Sequence, residues 1–144
     1  MNRSGKAVQA AMAAQRRQPE DVLVAHDELD LAFGVLRLKT GGGHAGNNGV
    51  RSIIEHVGAE RWRRLRIGIG HPGKGADVAS WVLSSLPERQ WSALPDLFDR
   101  ATAVLERMLD GNWEDAIGWL HAQSPLEMTD DERAGSKPAP EGGP

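Results

Sequence analysis

The spacing of apolar and polar positions changes period several times along the chain, and each change marks an element. Between Lys6 and Arg16, Val8, Met12 and the alanines recur at helical spacing, with Ser4 available as an N-cap, and predict a first helix that Pro19 ends. Asp21 to His26 is a short apolar run without the alternation of an exposed strand, so it predicts a buried strand followed by three acids, Asp27, Glu28 and Asp30. Val35 to Lys39 alternates apolar and basic side chains, as a one-sided strand does. Val50, Ile53, Ile54 and Val57 stand at i, i+3, i+4 and i+7, one face of a second helix for which Gly58 is the stop. Leu65 to Ile69 predicts a third strand, closed by Gly70-His71-Pro72-Gly73.

Beyond it, Val78, Trp81 and Val82 predict a short helix stopped by Pro87. A long helix follows from about Gln90 to Leu109, entered or interrupted at Pro95, with Leu97, Phe98, Ala101, Val104, Leu105 and Met108 on one face. Trp113 to Leu120 predicts the last helix. This order belongs to the α/β class, with helices on the sheet faces. Three strands make a thin sheet, and their apolar character calls for further strands from another segment. The Pro, Gly and charge content after Ser124 predicts a disordered tail over 125–144 behind a domain of 1–124.

The 144 residues suit a single domain, and the absence of cysteine excludes a disulfide framework, a thiolate metal site and a Cys nucleophile. No apolar run approaches the ~20 residues that cross a bilayer, and the N-terminus lacks the apolar segment of a secretory signal. The expectation is a cytoplasmic protein with no membrane partner. A net charge of -3 argues against bulk affinity for nucleic acid. Yet 13 of the 17 bases are arginine, and Arg61, Arg63, Arg64 and Arg66 fall together. Their forked donors suit phosphate; a solvated strand edge is the other reading.

The stretch from Gly41 to Gly49 is the most unusual in the chain, because its glycines discard side chains where the backbone must bend or approach something closely. Gly41, Gly43 and Gly46 satisfy G-x-G-x-x-G, but no acid ends the following strand as a dinucleotide site requires, and no Gly-Lys-Ser/Thr follows as a phosphate loop requires. The loop delivers Asn47 and Asn48 to a helix start, where only one can be the cap and the other can face a ligand. His44 and His71 sit in glycine-rich turns, structural or exposed. Asp27, Glu28 and Asp30 follow a strand end, where ligands bind in open α/β sheets. They read as an orienting acid or as a solvated turn, and metal ligation is disfavoured for want of a paired His.

Three motifs occur together in order: Val24-Ala25-His26-Asp27-Glu28-Leu29-Asp30, the Gly41 to Gly49 loop, and Arg64 to Gly73. With the opening Met1-Asn2-Arg3-Ser4-Gly5-Lys6-Ala7-Val8, they closely resemble bacterial-type peptidyl-tRNA hydrolase, over nearly everything before the tail. The resemblance implies a three-layer α/β/α fold with a mixed sheet, phosphorylase/hydrolase-like. It also implies cleavage of the ester joining a peptide to the 3′ end of tRNA, which recycles tRNA from stalled translation, with no metal and no organic cofactor. By motif position, Asp27 orients the catalytic His, and Asn2 and Asn48, with Met1 beside the first, line the peptide and ester site. Lys39 and Arg66 match positions of tRNA backbone contact, and Lys74 lies in the equivalent of the tRNA-facing lid. Asn47 stands where the family often has His.

Family members begin with a further segment that holds several strands, a helix and the catalytic His, and Met1 coincides with an internal Met of their pattern. The expectation is a domain missing its N-terminal strands, through a misplaced start or a truncated gene, with little hydrolase activity by itself. The full-length form is expected to be a monomer whose partner is peptidyl-tRNA. The alternative is a catalytically inactive remnant that binds tRNA or peptide. A nucleotide-binding module is a distant third.

Overall fold

The computed structural model describes residues 3–128. In chain order the elements are α1 (Ser4–Gln15), a 3-10 turn (Pro19–Asp21), β1 (Leu23–Glu28), β2 (Leu36–Thr40), α2 (Asn48–Val57), β3 (Arg63–Gly68), α3 (Val78–Leu83), α4 (Glu88–Leu109) and α5 (Trp113–His121). The sheet is mixed: in the order β1-β3-β2, β3 lies parallel to β1 and antiparallel to β2.

Period-two alternation along β3 sends Leu65 to one face and Arg64 and Arg66 to the other, and the helices follow the apolar positions. Leu36, Leu38 and Leu65 pack under Leu97 and Val104 of α4 and Ala116 and Leu120 of α5. Across the sheet, Val50 and Ile53 of α2 enclose Trp62 with Val8 of α1 and Val22 and Val24. Burying Trp62 completely is worth a few kcal/mol of transfer free energy, at about 25 cal/mol per Å². The result is three layers, α/β/α. Among the described residues no helix is long and apolar enough to cross a membrane.

Several expectations need correction. Ser4 does not cap α1; Arg3 holds the cap position without a side-chain bond, and the first turn is tied across to α2, where Gly5 N–H donates to Ser52 Oγ at 2.9 Å. A Cβ on Gly5 would stand 2.0 Å from the Ser52 carbonyl oxygen, so glycine is what lets the two helices approach. Nor is β1 a buried strand. It pairs only with β3 among the described residues, Ala25 is exposed and only Glu28 is fully buried. Asp21 belongs to the preceding 3-10 turn, so the strand starts later and runs on through Asp27 and Glu28, which therefore point to opposite sides.

β3 likewise starts early, at Arg63, which puts three of the four clustered arginines in the central strand instead of at a solvated edge. The single face expected for α4 splits, because neighbours in a helix differ by ~100°. Leu97 and Val104 are buried, while Phe98 and Leu105 are exposed. The helix runs through Pro95 without ending. After α5, Leu126 packs against the α4–α5 side of the core, inside the stretch expected to be tail; residues 129–144 lie outside the described residues.

Candidate active site

β1 and the start of α2 bring Asp27, Asn47 and Asn48 to one cleft of about 350 Å³. The loop between β2 and α2 makes this possible by turning sharply. Gly41, with φ of 66°, leaves β2 with its N–H bonded to the Trp62 carbonyl at 3.0 Å, and a Cβ there would stand 2.9 Å from the Ala59 carbonyl oxygen. Arg64 then clamps the loop from beneath: its two terminal nitrogens donate to the carbonyls of Gly42 and Gly43, and its guanidinium lies 4.3 Å from the centre of the Trp62 ring. Only 3% of Arg64 is exposed. Burial, with nearby Arg66, lowers its pKa, partly opposed by Glu28.

At the end of the loop the two asparagines divide their roles. Asn47 caps α2, its Oδ1 accepting from Val50 N–H at 3.0 Å. Its Nδ2 donates to Asp27 Oδ1 at 3.0 Å. Asn48, one residue on, does no capping and lines the cleft. The opposite wall is apolar, made by Leu29 and by Val78, Val82 and Leu83 of α3. α3 is held there by Asp77, which caps it, and by Trp81, whose indole N–H donates to the Gly70 carbonyl at 2.9 Å. A carboxylate and an amide thus face an apolar wall across a space that fits a small acyl group.

A second cavity, of about 220 Å³, opens on the α2 side of the sheet and is lined by Lys39, Arg64, Arg66, His26, His44 and Glu28 among others. Strand register explains it: His26, Arg66 and Arg37 are successive partners across the sheet, as are Val24, Arg64 and Lys39. Arg66 lies 3.5 Å from Glu28, and among the described residues its buried Nε has no hydrogen-bond partner. Arg61 and Arg63 take no part. Arg61 pairs with Glu20 at 2.9 Å on the surface, and Arg63 stacks on Trp113 of α5, on the other face.

The five histidines of the chain are engaged elsewhere than at the Asp27 carboxylate. His26 Nδ1 donates to the Asp27 backbone carbonyl at 2.8 Å, and His56 Nδ1 to the Ser52 carbonyl at 2.7 Å. His44 and His71 each accept a loop N–H at 3.0 Å, from Gly46 and Gly73, the structural role expected of them. His121 Nε2 accepts from Leu38 N–H at 3.2 Å, beside Arg37 and Arg66.

Of the residues singled out in the sequence, Asp27 and Asn48 share the first cleft, and Lys39 and Arg66 share the second cavity. Lys74 stands exposed on the loop before α3 and lines neither. Met1 and Asn2 lie outside the described residues. The sequence reading missed the clamp made by Arg64 and the apolar wall of α3. The first had a signal in the alternation Arg64-Leu65-Arg66, which sets Arg64 opposite Leu65.

Comparison with known proteins adds a consistent set of likenesses. A family model described as peptidyl-tRNA hydrolase matches residues 1–127. Peptidyl-tRNA hydrolases of Pseudomonas fluorescens Pf-5 and Pseudomonas aeruginosa PA14 are each 48% identical over 124 residues, covering 85% of this chain and 64% of theirs. A crystal structure of peptidyl-tRNA hydrolase from Acinetobacter baumannii superposes with a TM-score of 0.80 at 42% identity, over 88% of this chain and 64% of that one. The chain therefore spans about 64% of the length of the relatives it matches.

Proposed function

The chain belongs to the peptidyl-tRNA hydrolase family, and from that premise we propose that its cleft acts on the ester joining a peptide to the 3′ end of tRNA. One observation carries the reading: Asp27 and Asn48 line the same cleft, and the Asp27 carboxylate is already tied at one oxygen. Hydrolysis of such an ester needs a base that takes the proton of the attacking water and donors that hold the charge developing on the carbonyl oxygen. Asp27 takes the part of the acid that orients an imidazole base and stabilises its cation. Asn48 offers a neutral amide, able to donate to the ester carbonyl or accept from a peptide N–H. The family resemblance assigns Met1 and Asn2 to the same peptide and ester site. The base is read as a His carried by the N-terminal segment that the family resemblance implies.

Lys39 and Arg66, with Lys74 from the lid, contact tRNA phosphates. Such contacts position a substrate without reading its bases, as an enzyme acting on many tRNAs requires. No cofactor or membrane enters this reading, which describes a cytoplasmic monomer.

The test joins the family's N-terminal segment to this chain and follows release of peptide from a peptidyl-tRNA. Turnover by the joined protein, with essentially none by the 144 residues alone, is the expected result. Binding of tRNA by a joined protein that releases no peptide would replace hydrolysis with the inactive, tRNA-binding alternative.

A further inference from the structure

Asn47 uses both ends of its side-chain amide inside the protein. Oδ1 accepts from Val50 N–H at 3.0 Å, while Nδ2 donates to Asp27 Oδ1 at 3.0 Å and to the Asp27 carbonyl at 3.3 Å. The two ends cannot be exchanged, because a flipped amide would set a donor against a donor and an acceptor against two acceptors. Capping alone needs only an oxygen, which Ser or Asp supplies equally well. The donor end is what the position demands of Asn.

That donor links two elements of unequal rigidity. α2 is buried along Val50 and Ile53, whereas β1 has one strand neighbour among the described residues. Near the end of such a strand, a carboxylate held by nothing else would sample several rotamers. Tied at Oδ1, it keeps one of them, and among the described residues nothing bonds Oδ2. We infer that Asn47 is the positioning residue for Asp27, fixing the carboxylate so that Oδ2 is presented to an imidazole in the cleft; this rests on the hydrolase reading of Asp27 given above.

Two readouts test the inference. In isotope-labelled protein, Asp27→Ala should move the Asn47 side-chain amide resonances and speed their exchange with solvent, while the Val50 amide, still bonded to Oδ1, keeps its protection. Unchanged Asn47 resonances would overturn the inference. In the protein joined to the N-terminal segment, Asn47→Ser keeps a capping oxygen and withdraws the Nδ2 donor, because its hydroxyl ends at the γ position, one bond short of Nδ2, and is occupied by the cap. It should lower kcat roughly ten- to a hundredfold, the cost of a displaced catalytic group, with KM and thermal midpoint unchanged. Asn47→His should recover part of that kcat despite capping poorly. Full kcat in the Ser variant would overturn the inference. Failure of the unsubstituted joined protein to hydrolyse peptidyl-tRNA would instead remove the hydrolase reading, and the Asn47 resonances would then decide alone whether Asn47 holds Asp27.

Discussion

Arg66 Nη1 lies 3.5 Å from Glu28 Oε1, a diagonal pair on one face of parallel strands in which Arg66 itself registers with His26. The guanidinium that family position assigns to a tRNA phosphate is therefore shared with an internal carboxylate. Arg66 is about a quarter exposed and Glu28 less, so the pair is screened less than a surface one and its partners compete for the same donors.

Replacing Arg66 with Ala should weaken tRNA binding about equally for different tRNAs, and flatten the dependence of log K on log salt by roughly one phosphate contact. Glu28→Gln, which keeps the shape and removes the competing charge, should tighten binding. Arg61→Ala and Arg63→Ala are the controls, because one is paired to Glu20 in solvent and the other stacks on Trp113 on the opposite face. Filter-binding titrations over a range of salt would check this. Equal slopes for all four variants would return Arg66 to a merely structural role.

Asn48→Ala should cost activity and little else. Its neighbour Asn47 is the cap, so loss of Asn48 is expected to change unfolding free energy by less than about 0.5 kcal/mol, whereas Asn47→Ala should cost about 0.5–2 kcal/mol. Urea unfolding beside peptide-release kinetics in the joined protein separates the two. An Asn48→Ala variant with full activity would remove the amide from the site.

Stability should fall on mild acidification because of His121. Burial first, then Arg37 and Arg66, lower its pKa in the folded protein, and its Nε2 must stay unprotonated to accept the Leu38 N–H. The unfolded chain, with an ordinary His pKa of about 6.5, then binds the proton more readily, so this contribution is present at neutral pH and declines as pH falls through that value. His121→Gln, which can still accept the N–H, should flatten the slope of unfolding free energy against pH in that window. An unchanged slope would mean that His121 does not sense pH.

How much of this was legible before the structure depended on whether the cause was local. The glycine loop and the start of α2 were readable because caps and positive-φ turns are set by a few adjacent residues, whereas local chemistry left open which of Asn47 and Asn48 caps the helix. The direction of the acids was not. With a period of two, a shift in where β1 ends sends Asp27 and Glu28 to opposite sides, and strand ends are the least determined part of a pattern. Arg64 was missed for another reason: a run of arginines suggests solvent, and only the loop folding back over Trp62 gives this one carbonyls to hold. The exposure of Phe98 and Leu105 follows from a choice that α4 makes in three dimensions, as it turns Leu97 and Val104 to the sheet.

The role of Asp27 is tested most directly by kcat for release of peptide from peptidyl-tRNA by Asp27→Asn in the joined protein, measured beside its thermal midpoint. The amide keeps the shape of the carboxylate and an oxygen for the Asn47 donor, but cannot carry the charge that orients and stabilises an imidazolium. A fall in kcat of roughly 10²–10⁴-fold at an unchanged midpoint is the expected result. An Asp27→Asn protein that releases peptide as fast as its parent would contradict the assignment of Asp27 as the orienting acid, and with it the reading of this cleft as the hydrolytic site.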